Sequence, residues 1–345
     1  MKKILALVLA IMLMATCCAM AEKVGVSMPT KDLQRWNQDG ENMYNKLTEA
    51  GFEVDLQFAS NDVLQQLNQV TNMINNGCTV IVISAIEGSS LGSALDLAKE
   101  KGVTVIAYDR LLMDNDAVSY YATFDNYKVG AVQGTYIKEQ LDLDNAEGPF
   151  YIEITAGDPG DNNAFFFYNG AMDVLKPYIA EGKIIVKSGQ IEMSEVATPS
   201  WKTEVAQNRA ESLLDSFYAD GSEIDAWLCS NDSTALGVVN ALDAKYDGEW
   251  PIITGQDCDI SNVKNIIAGK QAMSIFKDTR TLADQVVKMI GQALKGEPVD
   301  VNDTTTYNNN VITVPSFLCD PVFADVNNYE ELLLGSGYYT ADQLK

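Results

Sequence analysis

The chain has 345 residues, 24 Lys and Arg against 48 Asp and Glu, a formal charge of −24, and no histidine. The missing imidazole excludes Ser-His-Asp and Cys-His nucleophiles, H-E-x-x-H zinc sites and histidine proton relays. The acidity argues against a nucleic-acid partner, since phosphate recognition needs a basic surface.

Lys2 and Lys3 precede an apolar run from Ile4 to Ala15, and Ala19-Met20-Ala21 offers small residues to a signal peptidase. Residues 1–21 therefore read as a secretory signal peptide, making the protein periplasmic or extracytoplasmic, with Glu22 as the mature start. The stretch Leu13 to Cys17 loosely matches a lipoprotein signal, so anchoring through an acylated Cys17 is the alternative. Cys78, Cys229, Cys258 and Cys319 border or sit in apolar runs, as small buried thiols do. Export also permits disulfides, and three pairings of these four are open.

From residue 23 onward, short β-branched runs alternate with amphipathic stretches. Strands are expected at Val24–Met28, Val54–Phe58, Val80–Ile83, Val103–Ala107 and Tyr120–Phe124. Between them, Met43, Tyr44, Leu47 and Ala50 mark one helix face closed by Gly51. Val63, Leu64, Leu67, Val70, Met73 and Ile74 form a second stripe, closed by Gly77. A third helix, Leu91–Lys101, ends at Gly102. A second round begins near Phe150. Its strands are Phe150–Thr155, Lys183–Lys187, Ala226–Cys229, Ile252–Thr254 and Met273–Phe276. Its helices are Asn163–Ala180, Glu204–Tyr218, Thr234–Lys245 and Val263–Ala268, and Thr281–Leu294 follows the last strand. Such alternation predicts an α/β protein of two Rossmann-like lobes with parallel sheets covered on both faces.

In open parallel sheets, ligands bind beyond the carboxyl ends of the strands. Those ends carry Lys31 and Arg35-Trp36, Asp109-Arg110 and Asp125-Asn126 in the first round. In the second they carry Asp161-Asn162-Asn163, Asn231-Asp232, Gln256-Asp257 and Lys277-Asp278, with Gln190 and Trp201 in a loop. Each has an ordinary reading alone: an ion pair for Asp109-Arg110, a helix cap for Asn231-Asp232, core for Trp36 and Trp201. Their recurrence at one end of successive strands points instead to a binding cleft between the lobes. Carboxylates, amides and cations with aromatic faces suit a monosaccharide, whose hydroxyls both donate and accept and whose C–H faces are apolar.

At these residues the chain resembles the periplasmic sugar-binding proteins of ABC transporters, type I fold, in the xylose-binding branch, closest to members that bind several aldoses. The resemblance is carried by Met28 to Lys31, Val105 to Arg110, Ser119 to Asn126, Asp161 to Tyr168, Val174 to Tyr178, Ser230 to Asp232, Gly255 to Asp257 and Ile275 to Arg280. It implies capture of an aldopyranose such as xylose, glucose, galactose or arabinose by hinge closure, and delivery to the membrane permease of an ABC importer. A chemoreceptor or sensor kinase is a further implied partner, and the protein is expected to be a monomer without cofactor or metal. The implied ligand set is Lys31, Arg35, Trp36, Asp109, Arg110, Asp161, Asn162, Trp201, Asn231, Asp257 and Lys277. Trp36 and Trp201 would cover opposite sugar faces. Ile191, Glu192 and Ser200 depart from the family pattern. The implied N-terminal lobe comprises residues 22–125 and 279–312, and the C-terminal lobe 126–278 and 313–345. Hinge crossings are expected near Asp125-Asn126, Asp278 and Val311–Ser316.

Two other classes compete. A glycosidase would use two carboxylates among Asp109, Asp161 and Asp257, but their neighbours Arg110, Asn162 and Gln256 suit recognition by ionised groups. A repressor would need an N-terminal helix-turn-helix and a basic face. The stretch Asp142 to Gly148 has calcium-loop-like acidic spacing, but Ala146 replaces an oxygen ligand, so it reads as a solvated loop. Without histidine, capture should show no histidine titration near neutral pH.

Overall fold

A computed structural model describes residues 21–345. The expected leader and Cys17 lie outside them, Ala21 apart. The chain begins with β1 (Lys23–Met28), α1 (Gln34–Glu49), β2 (Glu53–Phe58), α2 (Val63–Asn75), β3 (Val80–Ile83), α3 (Gly92–Lys101), β4 (Thr104–Tyr108) and β5 (Val118–Phe124). Local chemistry sets the ends. Asp62 caps α2 by accepting from the Gln65 N–H at 2.9 Å, and Gly102 closes α3 with a φ of +69°. Val80, Ile81, Val82 and Ile83 are all buried, as a strand covered on both faces requires.

The second half runs through α4 (Asn126–Gln140), β6 (Phe150–Thr155), α5 (Asn162–Ala180), β7 (Ile184–Ile185), α6 (Thr203–Phe217), β8 (Ala226–Cys229), α7 (Asp232–Lys245), β9 (Ile252–Ile253), α8 (Ile260–Ile267) and β10 (Met273–Phe276). Then α9 (Thr279–Lys295) leads to β11 (Ser316–Cys319) and β12 (Val322–Asp325). The first sheet is six-stranded and parallel, in the order β11-β5-β4-β3-β1-β2. The second holds β7-β6-β8-β9, parallel throughout. A parallel bridge from Gln256 to Ile275 extends it to β10, which β12 flanks antiparallel. The expected α/β architecture with parallel sheets is present.

One core face of the first sheet packs on α2 and α3 through Val70, Met73 and Leu95, the other on α1 and α9 through Met43, Leu47, Val286 and Ile290. In the second lobe, α4 and α5 touch backbone to backbone. A Cβ on Gly130 would lie 1.9 Å from the Phe167 carbonyl oxygen, and one on Gly170 2.1 Å from that of Tyr127. Only glycine allows that approach, and it fixes where the first turns of α5 present Asp161, Asn163 and Phe167.

Of the elements named above, α4, β11 and β12 were not anticipated. The strand β11 corrects the expected boundary. Ser316–Cys319 pair in parallel with Tyr121–Phe124, so residues up to Cys319 belong with the first sheet. The approach to β11 is tied there too, by Asn309 Nδ2 donating to the Leu112 and Asn115 carbonyls at 3.2 and 2.7 Å. The third change of sheet therefore falls between Cys319 and Val322, not at Val311–Ser316. The other two lie between β5 and α4, at Asp125, and between β10 and α9, at Lys277-Asp278.

Among the described residues, Cys78, Cys229, Cys258 and Cys319 are buried and form no disulfide with one another. In the acidic loop, Asp144 pairs with Lys138 at 2.9 Å and accepts from the Tyr178 hydroxyl at 2.5 Å. Among the described residues no cluster of metal-ligating side chains occurs, and no helix is long and apolar enough to cross a membrane.

Candidate functional site

The carboxyl ends of both sheets face one narrow cavity between the lobes. The first lobe contributes Leu33, Arg35, Trp36, Asp109 and Arg110. The second contributes Asp161, Asn163, Phe167, Trp201, Asn231, Ser233, Gln256, Asp257, Asp259 and Lys277. About 30 Å³ is open to water-sized molecules, room for only a few waters.

Charge organises the lining. Arg35, in the first turn of α1, reaches Asp39 through Nε at 2.9 Å, Asp109 through Nη2 at 2.5 Å and Asp257 through Nη1 at 3.1 Å. Lys277, only 2% exposed at the end of β10, lies 3.1 Å from Asp257 and 3.7 Å from Asp109. Arg110 Nε makes an ion contact with Asp161 at 3.0 Å, out of line for a hydrogen bond, while Nη1 donates to the Ala85 carbonyl at 3.0 Å. Arg35–Asp257, Lys277–Asp109 and Arg110–Asp161 each join residues of different lobes. Burial raises the cost of ionising Asp109, yet Arg35, Lys277 and Arg110 outweigh it and hold the carboxyl below the usual carboxylate range. Burial pushes Asp161 up, and Arg110 only partly offsets this. Burial and then the Asp257 charge push Asp259 up to about 7 against the pull of Arg35 and Lys277. A histidine-free cleft thus still holds a group that titrates near neutral pH.

Backbone conformation aims several of these groups. Asp109 has a φ of +58° and Asp257 a φ of +98°, which turn both side chains into the cavity at strand ends. The Asp109 carbonyl accepts from Tyr121 Oη at 2.6 Å, Thr123 Oγ1 at 3.0 Å and, across the lobes, Asn163 Nδ2 at 2.6 Å. Ser200 and Trp201 also have positive φ, of +56° and +55°. They bring the Trp201 indole flat against Gly157, where a Cβ would lie 1.9 Å from Cη2.

The walls are aromatic. Trp201 meets Phe167 edge-on at 6.3 Å. The guanidinium carbons of Arg35 and Arg110 lie 5.1 and 5.0 Å from the Trp36 ring, so Trp36 supports both cations as well as lining the cavity. Among the described residues, three buried polar atoms of the second-lobe wall find no protein partner: Trp201 Nε1, Gln256 Oε1 and Asp259 Oδ1. A buried polar atom without a partner costs about 1–3 kcal/mol. All three belong to residues that line the cavity, and a hydroxyl-rich ligand has the donors and acceptors to partner them.

Of the residues expected from the sequence, Arg35, Trp36, Asp109, Arg110, Asp161, Trp201, Asn231, Asp257 and Lys277 come together around this cavity. Asn231 also caps α7, accepting from the Thr234 N–H at 3.0 Å. Lys31 does not join them. It is exposed, 4.8 Å from the Phe58 ring, in a separate surface hollow with Glu41 and Tyr44. Asn162 is also outside the lining, and its neighbour Asn163 stands there instead. Phe167 and Asp259 escaped the sequence reading. Helical spacing from Asn163 could have found the first, one turn on, and the alternation Asp257, Asp259 the second.

A family model described as a periplasmic binding protein domain matches residues 24–298. The chain is 48% identical over 326 residues to the multiple sugar-binding periplasmic receptor ChvE of Rhizobium radiobacter, covering 93% of this chain and 92% of the receptor. It is 33% identical to the D-xylose-binding periplasmic protein of Escherichia coli, with 99% of each covered. A solved structure of an ABC transporter solute binding protein from Clostridium phytofermentans with bound beta-D-glucose is 66% identical. It superposes with a TM-score of 0.93, over 94% of this chain and 100% of that one.

Proposed function

The chain belongs to the periplasmic binding protein family, and on that premise we propose that its cleft captures an aldopyranose and releases it to the permease of an ABC importer. The observation that carries this reading is the cavity itself: ion-paired carboxylates and cations, aromatic walls, and partnerless buried Trp201 Nε1, Gln256 Oε1 and Asp259 Oδ1. Paired local charges let a neutral sugar hydroxyl accept from a cation and donate to a carboxylate at once. The glucose held by the 66%-identical relative supports glucose as a ligand here, and the xylose-binding relative supports pentoses.

Entry of a ring-sized ligand requires the lobes to part, given the size of the cavity. Three short crossings permit that rotation. Sugar then favours the closed form through contacts with both lobes that the open form lacks. The export signal expected at residues 1–21 supports capture outside the cytoplasm, with either free diffusion or an anchor at Cys17. Presentation of the closed form to a chemoreceptor or sensor kinase would use the same shape.

Binding without turnover is part of the proposal. Asp109, Asp161 and Asp257 each lie beside a cation, which suits holding hydroxyls more than passing a proton between two free carboxyls. A thermal-shift panel of xylose, glucose, galactose and arabinose, with ketoses and inositol alongside, tests the reading. At least one of the four aldoses should raise the melting temperature, and silence across all four would overturn the assignment. Incubation with labelled oligosaccharides should leave them intact; any cleavage would overturn the binding-only reading.

A further inference from the structure

Capture by closure needs the lobes to hold together, and contacts outside the cavity also fasten them. The C-terminal segment belongs to the second lobe: β12 pairs with β10, and Leu333, Tyr339 and Leu344 pack with Cys258 and Val263. From that segment the buried Tyr339 phenol donates to the Cys258 carbonyl at 2.9 Å. The Tyr339 phenol oxygen in turn accepts from Gln34 Nε2 at 2.6 Å and Gln38 Nε2 at 3.1 Å, both on α1 of the first lobe. Gln34 Oε1 accepts from the Ile260 N–H of the second lobe at 3.1 Å, and Tyr338 Oη donates to Gln38 Oε1 at 3.2 Å.

None of these four side chains lines the cavity. Each end of the network nevertheless adjoins a residue that does. Gln34 precedes Arg35, and Cys258 follows Asp257. The donors and acceptors are neutral amides, phenols and backbone groups, so they are satisfied by water when the lobes part and by each other when they meet.

We propose that Tyr339, with Gln34 and Gln38, is a latch that seats the Asp257 loop against α1 and sets how fast a captured ligand is released, without touching that ligand. This rests on the capture reading above. A latch of this kind stabilises the closed form by the same amount whatever is inside. Its removal should therefore slow nothing on entry and speed release by one common factor.

The test compares the full chain with Tyr339→Phe, which keeps the packed ring and removes the hydroxyl, and with Gln34→Ala, a partly exposed helix position. Stopped-flow release of glucose and xylose should accelerate about three- to thirtyfold in both variants, equally for the two sugars. Association should be as fast as in the wild type or faster, since sugar enters the open form, and both sugar-free variants should keep a single cooperative melt. Small-angle X-ray scattering of the sugar-free proteins should show the variants shifted toward the wider, open form. That readout needs no sugar, so it separates failure of the latch from failure of sugar capture. Release rates within twofold of wild type in both variants, or scattering curves that superpose on wild type, would overturn the latch. Acceleration for one sugar only would also overturn it, by showing direct ligand contact.

Discussion

Replacing Asp257 by asparagine removes one charge at the centre of the site with little change of shape. Asparagine tolerates the positive φ of +98° found there. In the native protein a single oxygen, Oδ1, receives Arg35 Nη1 and Lys277 Nζ, each at 3.1 Å. Both cations keep Asp109 as a second anion, at 2.5 and 3.7 Å, so neither is stranded by the change. A charge-assisted hydrogen bond contributes about 1.5–3 kcal/mol. The variant loses one such bond to the ligand and weakens one closure contact, the Arg35 bridge between lobes. Together these amount to about 3–6 kcal/mol, or roughly a hundred- to ten-thousandfold in Kd. The lobe cores are untouched, and Asp257 repels the buried Asp232 and Asp259, so the cost in sugar-free stability should stay below about 1 kcal/mol. Calorimetric titration with glucose gives the first quantity and thermal melting the second. A Kd within threefold of wild type would refute the placement of Asp257 at the ligand, and collapse of the melting transition would refute the claim that its charge serves binding rather than folding.

Arg110→Ala strands the buried Asp161 carboxyl and removes the cation stacked on Trp36, so binding should fall below detection by calorimetry while a single cooperative melt survives. Gly157→Ala places a Cβ where the Trp201 ring now lies; titration with each aldose should show affinity about tenfold weaker and a changed order of preference. The native Asp259 carboxyl holds its proton up to about 7, whereas an unfolded one releases it near its ordinary value of 3.8. Between those values the native state binds more protons, so sugar-free stability should decline as pH rises from about 4 to about 7. Urea melts across that window should show a shallower decline in Asp259→Asn, and identical slopes would contradict the assignment.

The strands and most helices were legible because their burial leaves a local mark. The stripe Val63 to Ile74 became α2, and the all-apolar Val80–Ile83 became a central strand. The helix α4 left no such mark. Its buried stripe has apolar Val129 and Ile137 but sets Gly130, Gln133 and Gly134 between them, where close backbone approach and a buried amide thin out the apolar pattern. Gln133 donates to the carbonyls of Cys229, Ser230 and Gly255, pairings that no periodicity reveals. The strand β11 was not anticipated for a related reason. Four residues leave little local mark, and their place in the first sheet depends on a partner, Tyr121–Phe124, nearly two hundred residues earlier.

The site was legible to the extent that strand ends announce it. Charged and amide residues after β1, β4, β8, β9 and β10 converge as the parallel-sheet rule requires. Lys31 follows β1 too, but the chain turns it outward over Phe58 before α1 brings Arg35 and Trp36 inward. Phe167 and Asp259 stayed hidden because each sits one step beyond a recognised residue, and only the fold shows that the step stays on the cavity side. Asp259 also changes what the absence of histidine implies, since a buried carboxyl now supplies the titration near neutral pH that imidazole would have given.

On the proposed function, one neutral sugar is held between the lobes by these residues. A calorimetric titration of the full chain with glucose tests it most directly. A saturable, one-to-one heat with a negative heat-capacity change is expected, as the aromatic walls and the apolar C–H faces of the sugar leave water. No heat with glucose, nor with xylose, galactose or arabinose under the same conditions, would contradict it.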